Sequence, residues 1–128
     1  MEAEQPVACR GIRGAITVET TRPEAVSEAT AELLAALVRQ NGCQLEDIAA
    51  AIFTVPDDLV GANPAAAARA SGWDGVPLLM VREHGGDARI RRCLRILLLW
   101  NTPCRQADVR HAYLGGAAEL RPDLTAAR

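Results

Sequence analysis

The sequence predicts an α/β (α+β) fold, a single domain in which one mixed β-sheet carries helices on one face. Three observations lead there. The patterns along the chain run strand, helix, strand, helix, strand, the order expected when one sheet and its helices share a core. Residues 76–81 (VPLLMV) and the run LRILLLW at 94–100 are short, apolar and rich in branched side chains, as buried strands are. And 128 residues suffice for one core but not two. The domain therefore takes in residues 1–128, with flexible ends expected at 1–9 and 125–128.

Residues 10–18, RGIRGAITV, alternate as a strand does: Ile12, Ile16 and Val18 share one face, Gly11, Arg13, Ala15 and Thr17 the other. Arg13 thus projects among small side chains with room to reach a ligand, although a half-exposed strand arginine would look the same. Thr21-Arg22-Pro23-Glu24 matches a capping box in which Thr21 accepts from the Glu24 amide. Val26, Ala29, Leu33 and Leu37 then form one apolar helical stripe, and Asn41-Gly42 supplies the stop.

Residues 48–55, IAAAIFTV, make a strand expected in the sheet interior. Asn63 and Pro64 open a short alanine-rich helix as N-cap and first residue. Arg69 lies near its end, where a cation also complements the helix dipole. Past Trp100, Pro103 is expected to open a helical turn. Residues 109–114 form a short element holding the only tyrosine, Tyr113, and a Gly115-Gly116 break leads into 119–124.

Charge interrupts the apolar pattern at two places. Glu83 lies at the exit of the strand at 76–81, and Arg95 lies inside the run that follows the glycine loop, where α/β folds usually keep ligand sites. An internal ion pair is the competing reading. An open sheet face as apolar as RILLLW needs a cover, which predicts a closed homo-oligomer.

Composition removes several chemistries. All fourteen basic side chains are arginine, so Schiff-base catalysis and a Walker-type phosphate loop cannot be built. A net charge of −2 argues against nucleic acid as the main partner. Cys9, Cys43, Cys93 and Cys104 have no C-x-x-C spacing, which argues against zinc and for reduced thiols in a cytoplasmic protein. Asp57-Asp58 reads as a solvated pair rather than a metal site. No secretory leader and no run of about 18 apolar residues is visible, so no membrane partner is expected.

RGIRGAITVE at 10–19, VPLL and RE within 76–83, RRCLRILLLWNT at 91–102 and RHAYLGGAAELRPDL at 110–124 together resemble the monofunctional chorismate mutases of the trimeric pseudo-α/β-barrel class. The resemblance is collinear over nearly the whole chain. It implies the rearrangement of chorismate to prephenate in aromatic amino acid biosynthesis, a homotrimer with active sites between adjacent subunits, and no cofactor. By position, Arg13 matches an arginine that contacts a substrate carboxylate. Arg95 matches one that reaches the ether oxygen and a carboxylate, and Glu83 a glutamate that faces the ring hydroxyl. Tyr113 matches the tyrosine of the R-H-x-Y-L segment and Arg69 an arginine at the cleft rim. Met80 stands where members often carry a small polar or thiol residue near that glutamate, and Leu120 and Arg121 match a C-terminal pair approaching the site. Two other readings stand beside this one: a trimeric binder of a shikimate-pathway metabolite, and a small imine or enamine deaminase on a similar trimeric fold.

Overall fold

In a computed structural model that describes residues 5–59, 61–84 and 90–119, the chain forms one five-stranded mixed sheet with its helices on one face. The elements in chain order are β1 (Ala8–Thr17), α1 (Pro23–Asn41), β2 (Ile48–Val55), α2 (Pro64–Ala68), β3 (Leu78–Arg82), β4 (Cys93–Thr102) and β5 (Ala112–Leu114). Across the sheet the strands run β3-β2-β4-β1-β5. β4 is antiparallel to both β1 and β2, while β3 and β5 add in parallel at the two edges.

Alternation sorts the side chains into two layers. Ile12 and Ile16 of β1, Phe53 of β2, and Leu94, Ile96 and Leu98 of β4 point to the helix side and are buried there. Against them α1 sets Val26, Leu33 and Leu37, and α2 adds Ala68, with Trp73 and Val76 behind it. Gly14 makes this contact possible, because a Cβ there would lie 2.9 Å from Leu37 Cδ1 and 3.1 Å from Ile96 Cγ2. α1 stops where expected: Gly42 takes φ 68° and donates its amide to the Val38 carbonyl, the left-handed cap that glycine accepts without penalty.

Several local expectations need correction. Arg22, not Thr21, caps α1, with φ −65° and ψ 140° and no side-chain cap bond. The residue before a proline is driven out of helical geometry, so Pro23 becomes the first helical residue and the expected capping box does not form. Thr20 accepts from the Arg22 amide instead. β1 begins at Ala8, pairing Ala8 and Cys9 with Thr102 and Asn101, so two residues assigned to a flexible end belong to the sheet.

The strand expected to be buried at 76–81 is the edge strand β3. Val76 is buried ahead of it, but Leu79, Met80 and Val81 are 57%, 40% and 40% exposed, since an edge strand has a neighbour on one side only. The turn after β4 winds at Gln106–Asp108 rather than at Pro103. Gly115 and Gly116 do not break the chain but start a tight turn over Gly115–Glu119. There Gly115 takes φ 59° and the Gly116 amide donates to Thr17 Oγ1 at 2.9 Å.

Candidate active site

The face of the sheet away from the helices carries a continuous row of paired residues. Val81, Thr54, Arg95, Ala15 and Tyr113 stand side by side on β3, β2, β4, β1 and β5. One row over, Leu79, Ile52, Leu97 and Arg13 repeat the pattern. Since paired residues share a face, Arg13, Arg95 and Tyr113 all project to the same side. Arg13 and Arg95 are diagonal neighbours on adjacent strands, a spacing of roughly 7–8 Å. Between them Ala15 contributes only a methyl group.

Glu83 joins this group through the backbone. Its amide donates to the Val55 carbonyl at 2.9 Å, which extends the β2–β3 ladder by one residue and turns the carboxylate over Thr54. Thr54 Oγ1 donates to Glu83 Oε1 at 2.8 Å. Arg95 Nε lies 3.3 Å from the same oxygen, yet it is buried and makes no hydrogen bond. The Glu83–Arg95 contact is therefore a charge contact without an aligned N–H. The Glu83 and Arg95 side chains are 20% and 36% exposed, enough to meet a ligand on the open face.

The elements hold these side chains from below. Arg92, just ahead of β4, has φ 50°, uncommon for a residue with a side chain. It is pinned on both sides: its amide donates to Asp58 Oδ2 at 2.7 Å, its Nε to the Val18 carbonyl at 2.7 Å, and its carbonyl accepts from the Val18 amide. Asp58, read from sequence as a solvated carboxylate, thus fixes the chain three residues before Arg95. Asp57 pairs with Arg82 at 2.7 Å on the surface, a contact worth little.

The free edge of β1 is closed by side chains. Gln106 accepts from the Gly11 amide and donates to the Gly11 carbonyl, and His111 Nδ1 accepts from the Arg13 amide at 2.9 Å. Asn41, at the end of α1, grips Arg110 in the same two-way fashion. On the same face, Ala15, Cys93 and Ala117 form a small buried cluster against which Tyr113 and Ile90 pack. Burial pushes the Cys93 thiol up, and the neighbouring Arg95 guanidinium offsets part of that rise.

The structure brings together Arg13, Glu83, Arg95 and Tyr113, but not Arg69 or Met80. Met80 pairs with Phe53 and so stands on the helix side. At this edge of the sheet it lines a groove of about 300 Å³ with Val55, Pro56, Ala62, Val81 and Arg82. Arg69 is exposed at the C-terminal end of α2. Leu120 and Arg121 lie outside the described residues. Sequence reasoning missed Thr54, whose signal was its being the one hydroxyl in IAAAIFTV. Asp58, Gln106 and His111 carried none, since their partners lie far away in the chain.

Comparison with known proteins agrees with this architecture. The chain matches the family model described as chorismate mutase type I over residues 9–124. It is 52% identical over 120 residues to chorismate mutase AroH of Thermus thermophilus, covering 93% of this chain and 98% of that relative. With chorismate mutase AroH of Bacillus subtilis it shares 35% identity over 117 residues, covering 91% and 92%. A solved chorismate mutase from Clostridium thermocellum superposes with a TM-score of 0.81 at 36% identity, covering 85% of this chain and 97% of the other. A five-stranded mixed sheet with two helices on one face, two arginines and a glutamate on the other, and sequence kinship over almost the full length lead to one assignment: the chain belongs to the chorismate mutase type I family.

Proposed function

We infer that the protein is a chorismate mutase, an isomerase that converts chorismate to prephenate, and that the open-face row is its catalytic wall. The observation that carries the site assignment is charge balance: Arg13 and Arg95 stand diagonally on one face beside the single carboxylate of Glu83. The surplus is positive, and the substrate is a dianion. The rearrangement is unimolecular and needs no nucleophile, base or cofactor, so catalysis comes from restricting conformation and stabilising charge.

Arg13 and Arg95 hold the two carboxylates so that the enolpyruvyl side chain folds over the ring. As the C–O bond breaks, negative charge gathers on the ether oxygen, where Arg95 donates. The ring gains the opposite charge, which Glu83 stabilises while it accepts from the ring hydroxyl, and Tyr113 closes the end of the row. A million-fold acceleration requires roughly 8 kcal/mol, within reach of two such groups acting in a site prepared before substrate arrives.

Arg69 and Met80 fit the same reading only if a neighbouring subunit supplies them, since in one chain they belong to the helix side. A homotrimer with shared sites supplies them, with Leu120 and Arg121 closing from the C-terminal segment. It also covers Leu79 and Val81, left 57% and 40% exposed in the single chain. Among the described residues no helix is long and apolar enough to cross a membrane.

The test is loss of chorismate absorbance on adding purified protein, with acid conversion of the product to phenylpyruvate as the identity check. Arg95→Ala is expected to lower kcat by about 10²- to 10³-fold. Wild-type turnover by that variant would remove Arg95, and the open-face site with it, from the mechanism.

A further inference from the structure

The Glu83–Arg95 contact has an unusual form. A carboxylate beside a guanidinium, left to itself, settles into two parallel N–H···O bonds, which occupy both oxygens of the acid and two N–H groups of the base. Here a single oxygen, Oε1, faces Arg95 Nε at 3.3 Å, and no hydrogen bond forms. The oxygen is already committed: Thr54 Oγ1 donates to it at 2.8 Å. Thr54 sits on β2, between β3 and β4 and directly opposite Arg95, so its hydroxyl anchors the carboxylate to the middle of the sheet.

We propose that Thr54 is a positioning residue for the rearrangement, its hydroxyl holding Glu83 in an incomplete ion pair with Arg95 so that the two charges do not neutralise each other. The tie to Thr54 leaves Oε2 for the substrate hydroxyl and the Arg95 terminal N–H groups for the ether oxygen. Without it the carboxylate turns and closes onto the guanidinium, and both groups are withdrawn from the substrate at once. The proposal rests on Glu83 and Arg95 meeting substrate, and it assigns a role to a residue that itself touches neither substrate nor reacting atoms.

Thr54→Val removes the hydroxyl with almost no change in shape and suits a strand. The expected result is a fall in kcat of about tenfold, with KM changing much less, because the lost contact matters most when charge develops. Thr54→Ser, which keeps the donor, restores most of the loss. The deciding measurement is made in a Glu83→Ala background, where Thr54→Val is expected to lower kcat by less than about twofold, since Thr54 acts only through that carboxylate. An equal tenfold loss in both backgrounds, or full activity of Thr54→Val alone, overturns the proposal. Thr54→Ala repeats the test should Val at this position impair assembly. Failure of the underlying site is read separately, because Glu83→Ala alone would then turn over at the parent rate.

Discussion

In the proposed mechanism Arg95 acts as a planar fork rather than as a point charge, and its setting gives the reason. Its Nε is buried beside Glu83 Oε1, which on that reading leaves the terminal N–H groups for substrate. A lysine would carry the same charge on a flexible stem with no fixed geometry. Arg95→Lys is therefore expected to retain folding and lose about a hundredfold in kcat, measured by chorismate consumption alongside thermal unfolding. The cysteines offer a second test at this scale. Burial pushes the Cys43 thiol up to about 11 from an ordinary value of 9.0. Its neutral form is the one the fold favours, so the stability it contributes is present below pH 9 and falls away as pH rises toward 11. Alkaline unfolding curves should show this loss, roughly 2 to 3 kcal/mol at its fullest, and Cys43→Ala should flatten it. Thiol reagents at neutral pH should label the exposed Cys9 and spare the buried Cys43 and Cys93.

At the scale of elements, the sheet and α1 meet through Gly14, where three side-chain atoms lie within 3.2 Å of the place a Cβ would take. Gly14→Ala should destabilise the protein by about 2 kcal/mol, read as a lowered melting temperature. The clamps on the edge of β1 predict a different signature. Gln106→Ala removes both bonds to Gly11, and with them the support for the backbone two residues before Arg13. A stability loss of about 1 kcal/mol with a raised KM is expected from unfolding and steady-state kinetics. What the sequence made legible follows from range. The stripe of α1, the cap at Asn63 and the face shared by Arg13 and Ala15 depend on neighbours a few residues away, and alternation or helical period reveals them. The row joining Thr54, Arg95, Ala15 and Tyr113 depends on the register of three strand pairs, which no local pattern encodes. The cap at Arg22 shows the reverse case, where residues 21–24 match a local motif but Pro23 sets the start of the helix and the motif's hydrogen bonds do not form. In β3 an apolar run suggests burial, although the strand lies at an edge of the sheet and leaves Leu79, Met80 and Val81 partly exposed.

For the whole molecule, the two halves of the candidate site face opposite ways in one chain, Arg13, Glu83, Arg95 and Tyr113 on the open face, Met80 and Arg69 with the helices. If the site is completed between subunits, assembly and activity rise and fall together. Leu79→Glu places a charge on the most exposed large apolar side chain of β3. Sedimentation is expected to show a smaller species, and turnover to fall in parallel as the protein is diluted.

The pairing of β1 with β4 also fixes when the protein can become itself during its manufacture. Every partner of the first strand, from Thr102 opposite Ala8 to Cys93 opposite Thr17, lies in the last third of the chain, and β5 follows later still. A growing polypeptide therefore carries residues 8–17 without their hydrogen-bonding neighbours through most of its translation, while α1, β2 and α2 emerge behind them. Pairings so distant in sequence form slowly, and unpaired strands are the part of a nascent chain most open to wrong partners. The central strand that unites the sheet is made only after α1, β2, α2 and β3, so residues 93–102 decide whether the ten residues of β1 find their place.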